Sequence, residues 1–391
     1  MKYAKNLLLL VFAASLVMLV ACGQKSNCNG ISFGTGGSGS GSGGVSSGGS
    51  VCGSGNPGGG SVRDFLFFQQ SGNILNTASF DGAKMTASVG SLVPSLGSGA
   101  GSDMVVVNKA FLYLTWLPQG GSTGQVLGFS INHNNGALTP LAGSPFSAGT
   151  SKVDTIVADP QGRYLVVGNS ANGDLSSFTI NSTTGALTLT PNSPLTNNGM
   201  APTTLVIDGT GNYVYATEVT RSGDVFGFAV DQTTFDLTTL PSSPFFLGVT
   251  RVASEPTGAF LLANDGSSNI DVISIETGTG ILLGKVPYPT TNAGDSLFVS
   301  PNGNFVYTYS IGNRLEGFSF SGGVLTPLAG SPFTTLEILH PEKMDQNGTA
   351  IFGYTITGGF GVYTVNPTTG AVSGGVPDLS VTSSPNFAPT N

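Results

Sequence analysis

The sequence predicts an all-β fold, a seven-bladed β-propeller of four-stranded blades. Three observations predict it: a turn phrase that returns at a nearly constant interval, an alternating strand that returns in step with it, and two chain ends that each supply a strand without a partner. The phrase begins Asp159-Pro160-Gln161-Gly162, Asp208-Gly209-Thr210-Gly211, Glu255-Pro256-Thr257-Gly258, Ser300-Pro301-Asn302-Gly303 and Asp345-Gln346-Asn347-Gly348. Its glycines are 49, 47, 45 and 45 residues apart, the interval of a unit that must stack on copies of itself to bury its apolar face.

Residues 1–21 are expected to stand outside this fold as a signal peptide. Lys2 and Lys5 precede an apolar run from Leu7 to Val20 that is too short and wrongly flanked for a membrane span. Leu19-Val20-Ala21-Cys22 resembles the lipobox of bacterial lipoproteins, which implies cleavage after Ala21 and lipidation of Cys22. Several acyl chains there would anchor the protein to a bilayer without spanning it. Residues 22–61 follow as a tether, mostly Gly and Ser, too poor in apolar surface to offset the entropy of ordering. Its 39 residues after Cys22 give a reach of roughly 35 Å at about 5–6 Å times the square root of length. Cys28 and Cys52 lie in this segment and could pair in an oxidising compartment or stay free.

Residues 62–391 form the propeller. In the unit around Asp154, a first strand runs to Asp159, and Asp159-Pro160-Gln161-Gly162 suits a type I turn. Arg163 to Gly168 returns as a second strand, Leu175 to Ile180 is the third, and Ala186 to Thr190 the fourth. The third strand recurs as Gly128-Phe129-Ser130-Ile131, Ser177-Phe178-Thr179-Ile180, Gly227-Phe228-Ala229-Val230, Val272-Ile273-Ser274-Ile275, Gly317-Phe318-Ser319-Phe320 and Val362-Tyr363-Thr364-Val365. Alternation puts its large residues on one face, as stacked sheets require. Six units are visible this way and a seventh is split. Val62 to Phe68 reads as a second strand lacking a first, and Pro385-Asn386-Phe387-Ala388-Pro389 resembles an orphan first strand. Pairing the two ends is expected to close the ring and remove an exposed edge.

The turn phrase, together with Asn135-Gly136-Ala137-Leu138-Thr139-Pro140-Leu141 and Thr184-Gly185-Ala186-Leu187-Thr188, resembles the bacterial propeller lactonases, seven-bladed relatives of 6-phosphogluconolactonase. The resemblance covers most of residues 100–391 and implies a lactone hydrolase. That family often has a Pro-His pair entering the first strand, whereas here Thr203 follows Pro202 and Asn386 follows Pro385.

Aligning the first-strand starts places Asp103, Asp154, Thr203, Thr250 with Arg251 beside it, Asp295, His340 and Asn386 around one mouth of the channel. Trp116, Glu218, Arg221, Asp265 and Arg314 are expected on its outer rim, and His133 on the opposite face. The ring could bind a small molecule, glycan or protein, or Asp154, Asp295 and His340 could share acid/base duty with Arg251 placing an anionic group. Short polar residues also satisfy strand-start backbone groups, which is the alternative account of the same ring.

No cofactor is implied, although the aspartates could hold calcium. Charged residues make up 9% of the chain and the net charge is −8, so no basic footprint marks a nucleic-acid partner. Motifs for a thiol redox centre, a zinc protease, a phosphate-binding loop or a nucleophile elbow are absent from the sequence.

Overall fold

The computed structural model describes residues 17–21, 64–70, 74–80, 85–87, 96–196, 200–218, 223–291, 294–310, 314–334, 339–355 and 359–380. These residues form seven antiparallel sheets, taken here in chain order. The third sheet runs Thr155–Ala158, Tyr164–Gly168, Leu175–Ile180 and Leu187–Leu189 from inside to outside. The fourth runs Thr204–Ile207, Tyr213–Glu218, Asp224–Val230 and Leu237–Thr239, and the fifth Arg251–Ser254, Phe260–Asn264, Asn269–Ile275 and Leu282–Pro289. The seventh runs Leu339–Met344, Ala350–Thr355, Gly359–Val365 and Val372–Ser380. The second is built on Met104–Val107, Phe111–Pro118 and Gln125–Ile131, and the sixth on Gly294–Val299, Phe305–Ser310 and Arg314–Ser321, each with short added strands.

The innermost strands neighbour one another in a ring around a central channel, Met104–Val107 beside Thr155–Ala158 and so on to Leu339–Met344. This is an all-β propeller, and no helix among the described residues is long and apolar enough to cross a membrane.

One element differs from expectation. The innermost strand of the first sheet is Val17–Ala21, paired with Asp64–Phe68 from Val17 opposite Phe68 to Ala21 opposite Asp64, at the place assigned above to Pro385–Pro389. Residues 381–391 lie outside the described residues. The apolar run Val-Met-Leu-Val-Ala can supply every ladder donor, whereas Pro385 and Pro389 each remove one. The expected pairing of the chain ends is therefore not what occupies this edge.

The cores lie between sheets, as the alternation requires. Tyr164 and Val166 of the third sheet pack on Val214, Phe226 and Phe228 of the fourth, all at 6% exposure or less, and each such side chain contributes about 1.5–3 kcal/mol on burial. Tyrosine hydroxyls latch the sheets further: Tyr113, Tyr215 and Tyr307 donate to the carbonyls of Gly185, Gly280 and Gly370 at 2.7, 2.7 and 2.8 Å. These turns close at left-handed φ of 72°, 72° and 71°, a conformation that favours glycine.

The turn phrase works through its first side chain. Asp208 accepts the amides of Thr210, Asn212 and Tyr213, Glu255 those of Thr257, Ala259 and Phe260, and Asp345 those of Thr349 and Ala350. Asp159 instead receives the Arg163 amide at 3.0 Å and clamps its guanidinium through Nε at 2.7 Å and Nη2 at 3.0 Å. The connectors use serine in the same way: the hydroxyls of Ser144, Ser193, Ser243 and Ser331, each before a proline, accept the amides of Gly128, Ser177, Gly227 and Gly317.

Candidate functional site

Six of the seven sheets, the second to the seventh, bring one residue each to the strand-start mouth of the channel. Asp103, Asp154, Thr203 and Thr250 immediately precede four successive innermost strands, and Asp295 and His340 stand second in the next two. Side-chain geometry separates them. Thr203 and Thr250 donate to the carbonyls of Thr217 and Asn264 at 3.1 and 3.2 Å, which seals the neighbouring strand end. Asp154 accepts the Ser170 amide at 3.0 Å and its hydroxyl, and Lys152 lies 2.6 Å away. Arg251 is half-buried opposite Asn264. The side chains of Asp295 and His340 are outside the described residues, as are Cys22, Arg221 and Asn386.

Asp103 stands apart chemically. Its two carboxylate oxygens accept the amides of Met104 at 2.8 Å and of Ile156, on the next sheet, at 3.0 Å. Burial pushes its carboxyl up to about 6, opposed by the charge of Lys343 and by those amide hydrogen bonds. Asp103 immediately precedes one of the two innermost strands that flank Val17–Ala21, and Lys343 lies near the end of the other; the charge of Lys343 reaches the Asp103 carboxyl.

The expected rim is mostly committed elsewhere. Trp116 is 3% exposed and lies so close under Gly99 that a Cβ there would come within 2.4 Å of its ring. Glu218 is buried opposite Asp224, Asp265 binds Ser267 and Asn269 within its own turn, and Arg314 is exposed at a strand start. His133 is exposed in a strand-to-strand turn. No group of three or more His, Cys, Asp or Glu among the described residues could hold a metal ion.

Lys343 escaped the sequence reading although a signal was present. Two places before the first residue of the phrase stand Val157, Val206, Ala253, Phe298 and Lys343, four apolar residues and one cation. Two buried carboxylates carry no such cue: Asp271 on a third strand, paired with Lys285 at 2.7 Å, and Asp174 just before one, bonded by Thr150 and Asn172.

Residues 108–246 match the family described as Lactonase, 7-bladed beta-propeller. That match spans 139 of the 391 residues. Among solved structures, this propeller is similar to a candidate 6-phosphogluconolactonase from Bacteroides uniformis, at 17% identity and a TM-score of 0.60, covering 79% of this chain and 94% of the other. A periplasmic gluconolactonase from Pseudomonas aeruginosa is similar at 17% identity and a TM-score of 0.58, covering 80% and 93%. Identities this low bear on fold alone. No curated protein matches the chain.

Proposed function

We propose that this lactonase-like propeller hydrolyses small lactones in its central channel, with Asp103 as general base and Lys343 as the cation beside the reacting carbonyl. The observation that carries the reading is that Asp103, at the start of one innermost strand, is reached by the charge of Lys343, near the end of another innermost strand of the same ring. In the step proposed, Asp103 takes a proton from water as the water oxygen bonds to the lactone carbonyl carbon, and Lys343 attracts the charge that develops on the carbonyl oxygen. Collapse breaks the ring C–O bond, the proton passes from Asp103 to the departing ring oxygen, and a hydroxy acid leaves. Asp295 and His340 enter this reading as further ring groups near the same mouth.

A second reading, a binding or scaffold module for a small molecule, glycan or protein, draws support from the structural use of Asp154, Thr203 and Thr250. A lactone panel on the full chain separates the two, with Asp103→Asn, Asp295→Asn and His340→Ala beside the wild type. Turnover lost in Asp103→Asn supports hydrolysis; no turnover in the wild type, or turnover indifferent to Asp103→Asn, favours the module.

The leader and the resemblance to a lipobox support a location outside the cytoplasm, with a tether to a membrane through Cys22. Cleavage after Ala21 would vacate the innermost position of the first sheet. Pro385–Pro389 is proposed to take it: four residues separate Ser380 from Pro385, as four separate Pro289 from the sixth sheet's first residue, Gly294.

A further inference from the structure

The channel has a second mouth, at the end carrying the turn phrases. A cavity of about 700 Å³ opens there, bounded by the turns at Glu255, Ser300 and Asp345 and by the inner ends of the strands leading into them. Its lining combines the half-buried apolar side chains of Val206, Leu297 and Met344 with polar Ser254 and Gln346, and Lys343 is the cationic lining residue. Lys343 is half-buried and lies on the same innermost strand as Met344. A lysine stem packs along apolar surface while its ammonium seeks an anion or water, and no carboxylate of the described residues stands within ion-pair distance of it.

The rest of the rim sets the ligand's charge. Glu255 and Asp345 spend their oxygens on turn amides, yet both bring negative charge to this mouth. A phosphate dianion is held by guanidinium forks or several converging donors, and none of the lining residues is an arginine. One cation beside apolar side chains suits a single carboxylate attached to a hydrocarbon body, and the acidic rim opposes any second negative charge.

We infer that the turn-side mouth binds an aliphatic monocarboxylate, its carboxylate on Lys343 and its chain against Val206, Leu297 and Met344. Resting on the hydrolase reading above, this makes the substrate a lactone with an alkyl substituent, whose product is such a hydroxy acid, and not a phosphorylated sugar lactone.

The test is calorimetric titration of the full chain with sodium octanoate and, separately, with 6-phosphogluconate. Octanoate is expected to bind saturably at one site per chain, and Lys343→Met and Ala253→Glu, the latter adding a carboxylate to the lining, are each expected to weaken it at least tenfold. Lys343→Arg is expected to retain binding, which separates loss of the cation from misfolding. The same titrations of the variants subtract any partition of octanoate into detergent. Absence of saturable octanoate binding, indifference to Lys343→Met and Ala253→Glu, or tighter binding of 6-phosphogluconate would overturn the inference. Turnover of unsubstituted δ-valerolactone is followed in parallel. Octanoate binding without turnover removes the hydrolase reading and leaves this site standing, and turnover without octanoate binding does the reverse.

Discussion

The carboxylate of Asp103 accepts the Ile156 amide at 3.0 Å, and in doing so it ties the second sheet of the ring to the third. The same carboxyl is pushed up to about 6 by burial, despite that bond and the nearby charge of Lys343. The folded protein therefore holds this proton more tightly than the unfolded chain, whose carboxyl titrates near 3.8. The contribution of Asp103 to stability is greatest below pH about 4 and declines as pH rises to about 6, where the folded carboxyl ionises. Denaturant melts of wild type and Asp103→Asn, compared at pH 4 and pH 7, are expected to show this decline in the wild type and its loss in the variant. A difference between the two proteins that stays constant with pH would contradict it.

Between the fourth and fifth sheets, the Tyr215 hydroxyl donates to the Gly280 carbonyl at 2.7 Å, and Tyr215 is fully buried. Tyr215→Phe leaves that carbonyl without its donor and is expected to cost about 1–3 kcal/mol. Gly280→Ala is expected to cost more. It places a Cβ at left-handed φ and 2.3 Å from the Tyr213 ring, adding about 1–2 kcal/mol of backbone strain alone. Chemical denaturation of both variants checks the order.

Removal of the Asp208 carboxylate strands three amides, those of Thr210, Asn212 and Tyr213, at 3.0, 2.8 and 2.7 Å from it. Asp208→Ala is expected to cost about 1–3 kcal/mol, because the half-buried amides of Asn212 and Tyr213 lose their acceptor. Lactone turnover per folded molecule should not change, because the turn is scaffold. Activity normalised to the folded fraction measures both expectations at once.

Much of the architecture was legible because a repeat writes the same physics several times. Asp159, Asp208, Glu255 and Asp345 signalled tight turns, and the structure shows why: an acidic side chain there accepts amides at the start of the next strand. Alternation placed Phe178 and Phe228 in the layers between sheets, where both are buried. The strand-start positions of Asp154, Thr203 and Thr250 were equally legible, but their hydrogen-bond partners were not, since Ser170, Thr217 and Asn264 come from other strands. Trp116 was expected on the rim because a lone aromatic near a loop carries no sign of what covers it; Gly99 does. Lys343 was hidden for the opposite reason. Its strand position was known, yet a cation in an inner strand gains meaning only when Asp103, two sheets away around the ring, is seen beside the same channel.

The claim that Asp103 is the base of a lactone hydrolase is tested most directly by the pH–rate profile of δ-valerolactone hydrolysis by the full chain. The account predicts that kcat/KM rises with pH through about 6 as the Asp103 carboxyl ionises and then levels. Asp103→Asn should lower it by about 10²–10⁴-fold. A profile without that rise, or a rate that Asp103→Asn leaves intact, would contradict the account.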